Sequence, residues 1–442
     1  MLINKERTER TLLLIHGTII YKRTILAPRD KQSADVLQAK FGKKTVCPID
    51  DELGVSNLPF KITCQAMSYI AKVATKTRSY SDAAEELTTF FGRQIDTKTV
   101  ERVTDFVGHL MFDEQCAQAE RAKELAASRK IDARKIRKQD DDVLYLETDG
   151  AMVHIRDKEH VNMTNAQIRS EEEDWKKGHG KLPRYETAWA ESKHAICFHA
   201  RDIKYYFESR DGSISSGRFK DVLKYRGTDI KVTNHKIEKR DCIGYIGNVD
   251  QFQHHFLALA ERNDWVYCSI VVILSDGATW IKKLKEKLFQ RKNVIQILDL
   301  FHAKENAGKF AHSIKSGAEA EKYADHLCEL IEKGDVNSLL NELDVYKDEK
   351  MPPGIPNLYT YIDHNKENMN YPAYKAAGLF VGSGAMESAN IYIMQDRMKL
   401  PGMRWKVING RHMLCLKCHY ESRTWYLVDA ELNKLSSRTV ST

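Results

Sequence analysis

The sequence contains no run of about 18 consecutive apolar residues, so no membrane-spanning helix is expected. Met1–Arg10 carries Lys5, Arg7 and Arg10 with no useful apolar stretch behind it. That is not the pattern of a secretory signal, and the expected location is the cytoplasm. A P-loop, a dinucleotide-binding glycine pattern after a strand, a G-x-S-x-G elbow and an H-E-x-x-H pair are all missing. Their absence removes the familiar nucleotide-binding, serine-hydrolase and zinc-protease signatures. Cys415-Leu-Lys-Cys418-His419 formally matches a c-type haem attachment string and half a zinc site. Haem attachment of that kind needs export, and no second Cys/His pair stands at zinc-finger spacing. His412 and His419 fall in the same helical stretch and read as packing and surface residues. All nine cysteines are expected to stay reduced. No internal repeat or low-complexity tract is present.

What is present is an ordinary globular composition: 442 residues, 42% hydrophobic and 30% charged. That length suffices for two or three domains and a substantial core. The formal charge of +7, from 69 Lys and Arg against 62 Asp and Glu, permits a polyanionic partner. Arg129, Lys130, Arg134, Lys135, Arg137 and Lys138 cluster around a single Asp132, a run that a solvated helix face would also give.

Residues 11–27 form two β-branched runs around His16-Gly17 and predict a hairpin. Turns and short strands are expected from there to Leu53. Between Ala66 and Gly108 the pattern becomes helical. Ser79 is placed to cap a helix ending at Gly92, and Asp96 or Thr97 a second through Val100, Val103 and Phe106. Two helices joined across a glycine resemble a helix-turn-helix, whose second helix enters a major groove; packed helices of any α domain read the same way. Residues 109–139 continue as a charged helical linker. Strands are then expected at 143–148, 195–200 and 205–207, with a loop around Glu171–Asp174. A helix over 248–262, a strand at 269–274, a helix over 278–290 and a strand at 294–298 leading into a helix follow. Strands alternating with helices imply a sheet covered on both faces. Residues 303–346 are helical, Met351-Pro-Pro-Gly-Ile-Pro356 breaks the pattern, and a shorter helical stretch follows to about Ala377.

Three carboxylates stand out. Asp149 and Asp276 occupy matching contexts, Thr148-Asp149-Gly150-Ala151 and Ser275-Asp276-Gly277-Ala278. Asp-Gly also favours tight turns, so Asp149 can equally turn a hairpin into Ala151–Ile155. Helical character after Asp276 instead places it at the carboxyl end of a buried strand, where open α/β sheets put ligands. Glu387 follows Gly382-Ser-Gly384 within the first turns of a helix, a position that the helix dipole alone would favour. Three carboxylates on separate elements suit phosphoryl transfer assisted by two Mg²⁺ ions, which take hard oxygen ligands.

The strings TDGA, LSDGATWIKKL, ILDLFHAKENA, GSGAMES and RMKLPGMRW, in this order, resemble bacterial insertion-sequence transposases of the Mutator-related DDE group. The resemblance runs from the first hairpin to about Leu427. It implies a mixed α/β, ribonuclease-H-like catalytic fold, with the first Asp on the first strand, the second after the fourth and the Glu on a late helix. The matching residues are Asp149, Asp276 and Glu387, as catalytic metal ligands for two Mg²⁺ ions or Mn²⁺ in their place. It also implies cleavage and joining of DNA at element ends and target, by a homo-oligomer assembled on DNA without a membrane. His302 matches a histidine that relatives carry near the site, where helix capping is an equal reading. Arg397, Lys399, Arg404 and Trp405 resemble a segment that faces DNA; a surface loop turned at Pro401-Gly402 reads the same. The expected organisation is a hairpin region (1–56), a helical DNA-binding region with its basic linker (57–139) and a catalytic domain (140–302 and 378–427). A helical insertion (303–377) interrupts that domain, and a tail (428–442) follows. Relatives generally carry more residues before the hairpin, which leaves open whether this is a shortened copy and whether the element is still mobile. An inactive or repurposed DNA-binding copy, or a nuclease of the same fold, are the alternatives.

Overall fold

A computed structural model of the chain describes residues 2–41, 44–128, 142–179, 186–289 and 293–437. The basic run from Arg129 to Lys138 lies outside them.

The chain opens on a hairpin longer than its β-branched runs suggest, β1 (Leu2–Leu14) paired antiparallel with β2 (Gly17–Pro28). Helices α1 (Lys31–Phe41) and α2 (Pro48–Glu52) follow where turns and strands were expected. Asp50 of α2 is held against the hairpin by Arg10 (2.7 Å) and by Arg23 and Tyr21 (2.5 Å each). That set of partners stabilises a helix too short to persist alone. Then come α3 (Cys64–Lys76), α4 (Tyr80–Phe91) and the 32-residue α5 (Thr97–Ser128). Ser79 caps α4, Gly92 ends it in the left-handed conformation (φ 62°), and Asp96 accepts from the Thr99 N–H at 2.8 Å.

The central sheet has five strands. In chain order they are β3 (Val143–Ile155), β4 (Ala188–His199), β8 (Asp241–Ile246), β9 (Ile270–Ser275) and β10 (Val294–Leu298). Their spatial order is β10-β9-β3-β4-β8. β3, β9 and β10 are parallel; β4 and β8 run antiparallel to their neighbours. Between β3 and β4, Glu171–Asp174 lie in helix α6 (Asn165–Lys176), closed by a Thr164/Gln167 capping box, and not in a loop. Between β4 and β8 stands a small sheet of β5 (Ile203–Glu208), β6 (Ile214–Gly217) and β7 (Lys231–Ile237), with α7 (Phe219–Lys224) beside β5.

Alternation along β3 decides the layers. Leu144 and Leu146 enter one hydrophobic cluster with Val103 and Phe112 of α5, Phe256 of α8 (Val249–Glu261) and Ile281 of α9 (Thr279–Leu288). Val143 and Tyr145 enter a second, with Ala303 of α10 (Leu300–Ile314), Leu327 of α11 (Gly317–Lys333), Leu339 of α12 (Val336–Leu343) and Ile362 of α13 (Leu358–Asn365). After α14 (Tyr371–Ala376) comes α15 (Gly384–Asn390), then a π turn (Ile391–Gln395), the short α16 (Asp396–Met398), α17 (Val407–Glu421) and α18 (Trp425–Ser437). Helix α17 is buried from Gly410 to Cys418 and contributes to both clusters. A Cβ on Gly108 would approach His412, and one on Gly244 would approach Leu414, each to 2.7 Å. These two glycines therefore let α5 and β8 close directly on α17.

Two expectations change. The described part of region 57–139 shares a core with the sheet: Val100, Val103, Val107, Met111 and Phe112 of α5 belong to the same cluster as Leu144 and Leu146, and Phe112 meets Tyr245 of β8. Residues 428–437 belong to α18, with Val428 and Leu432 buried, instead of forming a tail. The nine cysteines are unpaired with one another, and Cys415 and Cys418 are buried in α17, where burial raises both thiols. No helix among the described residues is long and apolar enough to cross a membrane.

Candidate active site

β3 is longer than expected and carries Asp149 within it. Its parallel pairing with β9 ends at Glu147↔Leu274, while its antiparallel pairing with β4 continues to Ile155. Asp149 thus lies just past the point where β9 stops, and Asp276 directly follows β9. Asp276 stands at the carboxyl end of β9, where open α/β sheets place ligands, and Asp149 lies beside it on the part of β3 that runs past β9. Asp149 is not the corner of a tight hairpin, since Gly150 and Ala151 remain in the β4 ladder, opposite Lys193 and Ser192.

The Asp276-Gly277 turn is built for glycine. Gly277 has φ +89°, and a Cβ there would meet Leu298 at 2.8 Å and Asn365 at 2.9 Å. Asp276 Oδ1 accepts from the Ala278 N–H at 3.0 Å, and its backbone carbonyl accepts from the Tyr361 hydroxyl of α13 at 2.9 Å. The helical insertion therefore braces the turn. Loss of water around the Asp276 carboxyl raises its pKa, and the charges of Asp149 and Glu191 raise it further, against the Ala278 N–H and His302.

Helix α15 brings the third carboxylate. Asn390 Nδ2 donates to Asp149 Oδ2 at 3.0 Å, and the Met386 N–H donates to Glu147 Oε2 at 2.9 Å. Glu387 is exposed, lies three residues before Asn390 and so shares its helix face. Its charge reaches Glu147, whose fully buried carboxyl is pushed up to about 8, first by burial and then by Asp299 and Glu387. The donor atoms of Asp149, Asp276 and Glu387 do not draw together to within 4.8 Å, a spacing that among the described residues is met by a different group of three.

His302 sits on the first turn of α10. Asp299, not His302, caps that helix, accepting from the N–H groups of Phe301 (2.6 Å) and His302 (2.9 Å). The His302 ring lies 3.6 Å from the Asp299 carboxylate. The Asp299 carboxylate beside it raises the imidazole to about 9 against burial, helped by the charges of Asp276 and Asp149. That shift favours the protonated ring at neutral pH, within reach of the charges of both aspartates. Asp299 also accepts from the backbone and hydroxyl of Ser383, which fixes the Gly382-Ser-Gly384 turn onto β10.

The four DNA-facing candidates divide. Lys399 and Arg404 are exposed. Arg397 is 1% exposed, donates to the Ala74 carbonyl at 3.0 Å and lies between the rings of Tyr80 (4.7 Å) and Trp405 (5.2 Å). Trp405 is buried and donates to the Met398 carbonyl at 3.1 Å. A guanidinium and an indole held this way cannot reach a phosphate without unpacking α3 and α4, so Arg397 and Trp405 serve packing.

Sequence reading missed Glu147, His194, Asp299 and Asn390. Glu147 is two positions from Asp149 on a strand, hence on the same face, and that spacing was visible. Asp299, directly between a strand and a helix, carries the usual N-cap signature. His194 stands opposite Asp149 across β4. It is wholly buried, and burial lowers its pKa to about 4 although Asp149 opposes the shift; no local signal marks it or Asn390.

No family model and no curated protein matches the chain. Among solved structures it is similar to the Drosophila P element transposase strand transfer complex, at 9% identity and a TM-score of 0.29, over 88% of this chain and 98% of that one. A likeness at that score leaves the function to be argued from the chain's own geometry.

Proposed function

We propose that the chain is a metal-dependent DNA strand-transfer enzyme, a DDE transposase of an insertion sequence, with Asp149, Asp276 and Glu387 as its acidic triad. One observation carries the reading. Asp149 stands on β3 just past the end of its parallel pairing with β9, Asp276 directly follows β9, and the helix bearing Glu387 is tied to Asp149 by Asn390. The strand positions agree with a ribonuclease-H-like reading: Asp149 lies on the first strand of the sheet in chain order and Asp276 follows the fourth. The donor set fits Mg²⁺, or Mn²⁺. It is all hard oxygen, and Asp276, raised first by burial, is raised further by the like charge of Asp149 and Glu191, which a cation would offset. When bound, two such ions would neutralise charge on the attacking and leaving oxygens of a phosphoryl transfer.

The remaining residues have positional work. Asn390 and the Gly150 N–H orient the Asp149 carboxylate (3.0 and 2.7 Å). His302 keeps a positive charge beside the aspartates and faces the phosphate. Lys399 and Arg404 contact the DNA backbone, which positions without specifying sequence. Partners in this reading are element ends, target DNA and further copies of the chain. The test is a cleavage and joining assay on DNA carrying the element's own ends, with Mg²⁺ and then with chelator. Metal-dependent nicks plus joined products support a transposase. Nicks without joining indicate a nuclease, and binding without nicks a DNA-binding copy.

A further inference from the structure

Away from the proposed active site, one group of three potential metal ligands converges among the described residues. Asp142, His199 and Cys268 are all buried, and one donor atom from each lies within 4.8 Å of the others. The sheet fixes this convergence. Asp142 immediately precedes β3, Cys268 precedes β9 by two residues, and His199 closes β4 opposite Leu144. The backbone is pinned as well. The Asp142 carbonyl accepts from the Ser269 N–H (3.1 Å) and hydroxyl (2.9 Å), and Asn293 donates to the Cys268 carbonyl at 2.9 Å. Asp149 lies seven positions along the same strand, so at about 3.3 Å per residue the group is roughly 20 Å from the proposed active site.

We propose that Asp142, His199 and Cys268 bind a zinc ion that clips together the ends of three strands. Thiolate, imidazole and carboxylate are soft, borderline and hard donors in turn, a mixed set that zinc accepts and magnesium does not. The group offers three protein donors among the described residues, and water completes the tetrahedron. Binding takes the proton from the Cys268 thiol, which now donates to the Asp264 carbonyl at 3.5 Å; that hydrogen bond is exchanged for the metal–sulfur bond, and affinity falls as pH is lowered. Arg201 holds Asp142 Oδ1 at 3.0 Å and fixes the carboxylate. A cavity of about 210 Å³, lined by Arg201, Arg240, Asp241, Arg262 and Asn263, opens beside His199.

The full-length chain is stripped with chelator and then titrated with Co²⁺ and Zn²⁺. The expected result is one thiolate-bound ion per chain, seen as a near-ultraviolet thiolate-to-cobalt band with tetrahedral visible absorption, and a higher melting temperature with zinc. Cys268→Ser should abolish the band, His199→Gln should weaken zinc binding at least tenfold, and Asp149→Asn should change neither. The cobalt spectrum of the unaltered chain needs no variant to fold. Absence of a thiolate band there overturns the proposal, as does a band that survives Cys268→Ser. Neither result depends on DNA cleavage.

Discussion

The Asn390 amide donates to the Asp149 carboxylate at 3.0 Å, joining residues 241 positions apart. This bond ties the helix that carries Glu387 to the strand that carries the first aspartate. Asn390→Ala should therefore leave DNA binding intact and raise the Mg²⁺ concentration needed for half-maximal cleavage by about tenfold or more. A magnesium titration of cleavage reads this directly. An unchanged midpoint would show that the bond does not position Asp149.

Glu147 gives a pH dependence. Its carboxyl is pushed up to about 8 in the folded chain, whereas an unfolded glutamate ionises near about 4.3. Between those values the unfolded chain releases a proton that the folded chain keeps, so this group makes stability fall as pH rises through the window and level off above about 8. Glu147→Gln has no proton to lose. In chelator it should gain on the natural chain at pH 8, by a shift on the order of a few kcal/mol, and show no gain at pH 4. Thermal melts at the two pH values check it; equal differences at both would contradict the assignment.

Region 57–139 should not be separable from the rest. Residues 140–442 expressed alone would expose the side of β8, α8 and α17 that α5 packs on, including Tyr245. That fragment is expected to lack a cooperative thermal transition and to bind a hydrophobic dye. A sharply melting, monomeric fragment would mean that the sheet does not need α5.

The basic segment after α15 separates charge from packing. Lys399→Ala with Arg404→Ala should weaken binding to unrelated DNA sequences alike and reduce the salt slope by about one for each phosphate no longer neutralised. Arg397→Ala should instead lower the melting temperature, since it empties a buried slot between Tyr80 and Trp405. Loss of DNA affinity by Arg397→Ala at full stability would reverse this division.

Much of this layout was legible in the sequence, and what was not has physical causes. Caps and glycines are local, so Ser79, Gly92 and Asp96 marked α4 and α5 correctly. Continuous apolar runs found β9 and β10. The small sheet of β5, β6 and β7 was largely hidden, because β6 and β7 are mostly exposed and lack an alternating apolar face. The Glu171–Asp174 stretch looked like a loop because its charges face solvent, while Thr164 and Gln167 close the helix from outside it. At the site, Asp149 and Asp276 stood out through their Asp-Gly contexts. Arg397 and Trp405 were read as surface because basic and aromatic residues look alike whether they meet DNA or each other. Asn390 and His194 depend on long-range pairing, which no local pattern encodes.

The central claim is that Asp149, Asp276 and Glu387 work together on DNA phosphates. The direct measurement is Mg²⁺-dependent cleavage of element-end DNA by Asp149→Asn, Asp276→Asn and Glu387→Gln, with DNA binding measured on the same preparations. Each variant should bind DNA as the natural chain does and cleave at least about a thousandfold more slowly, since each removes a ligand charge from a phosphoryl-transfer site. Cleavage at the natural rate by any one of the three would take that residue out of the site and contradict the account.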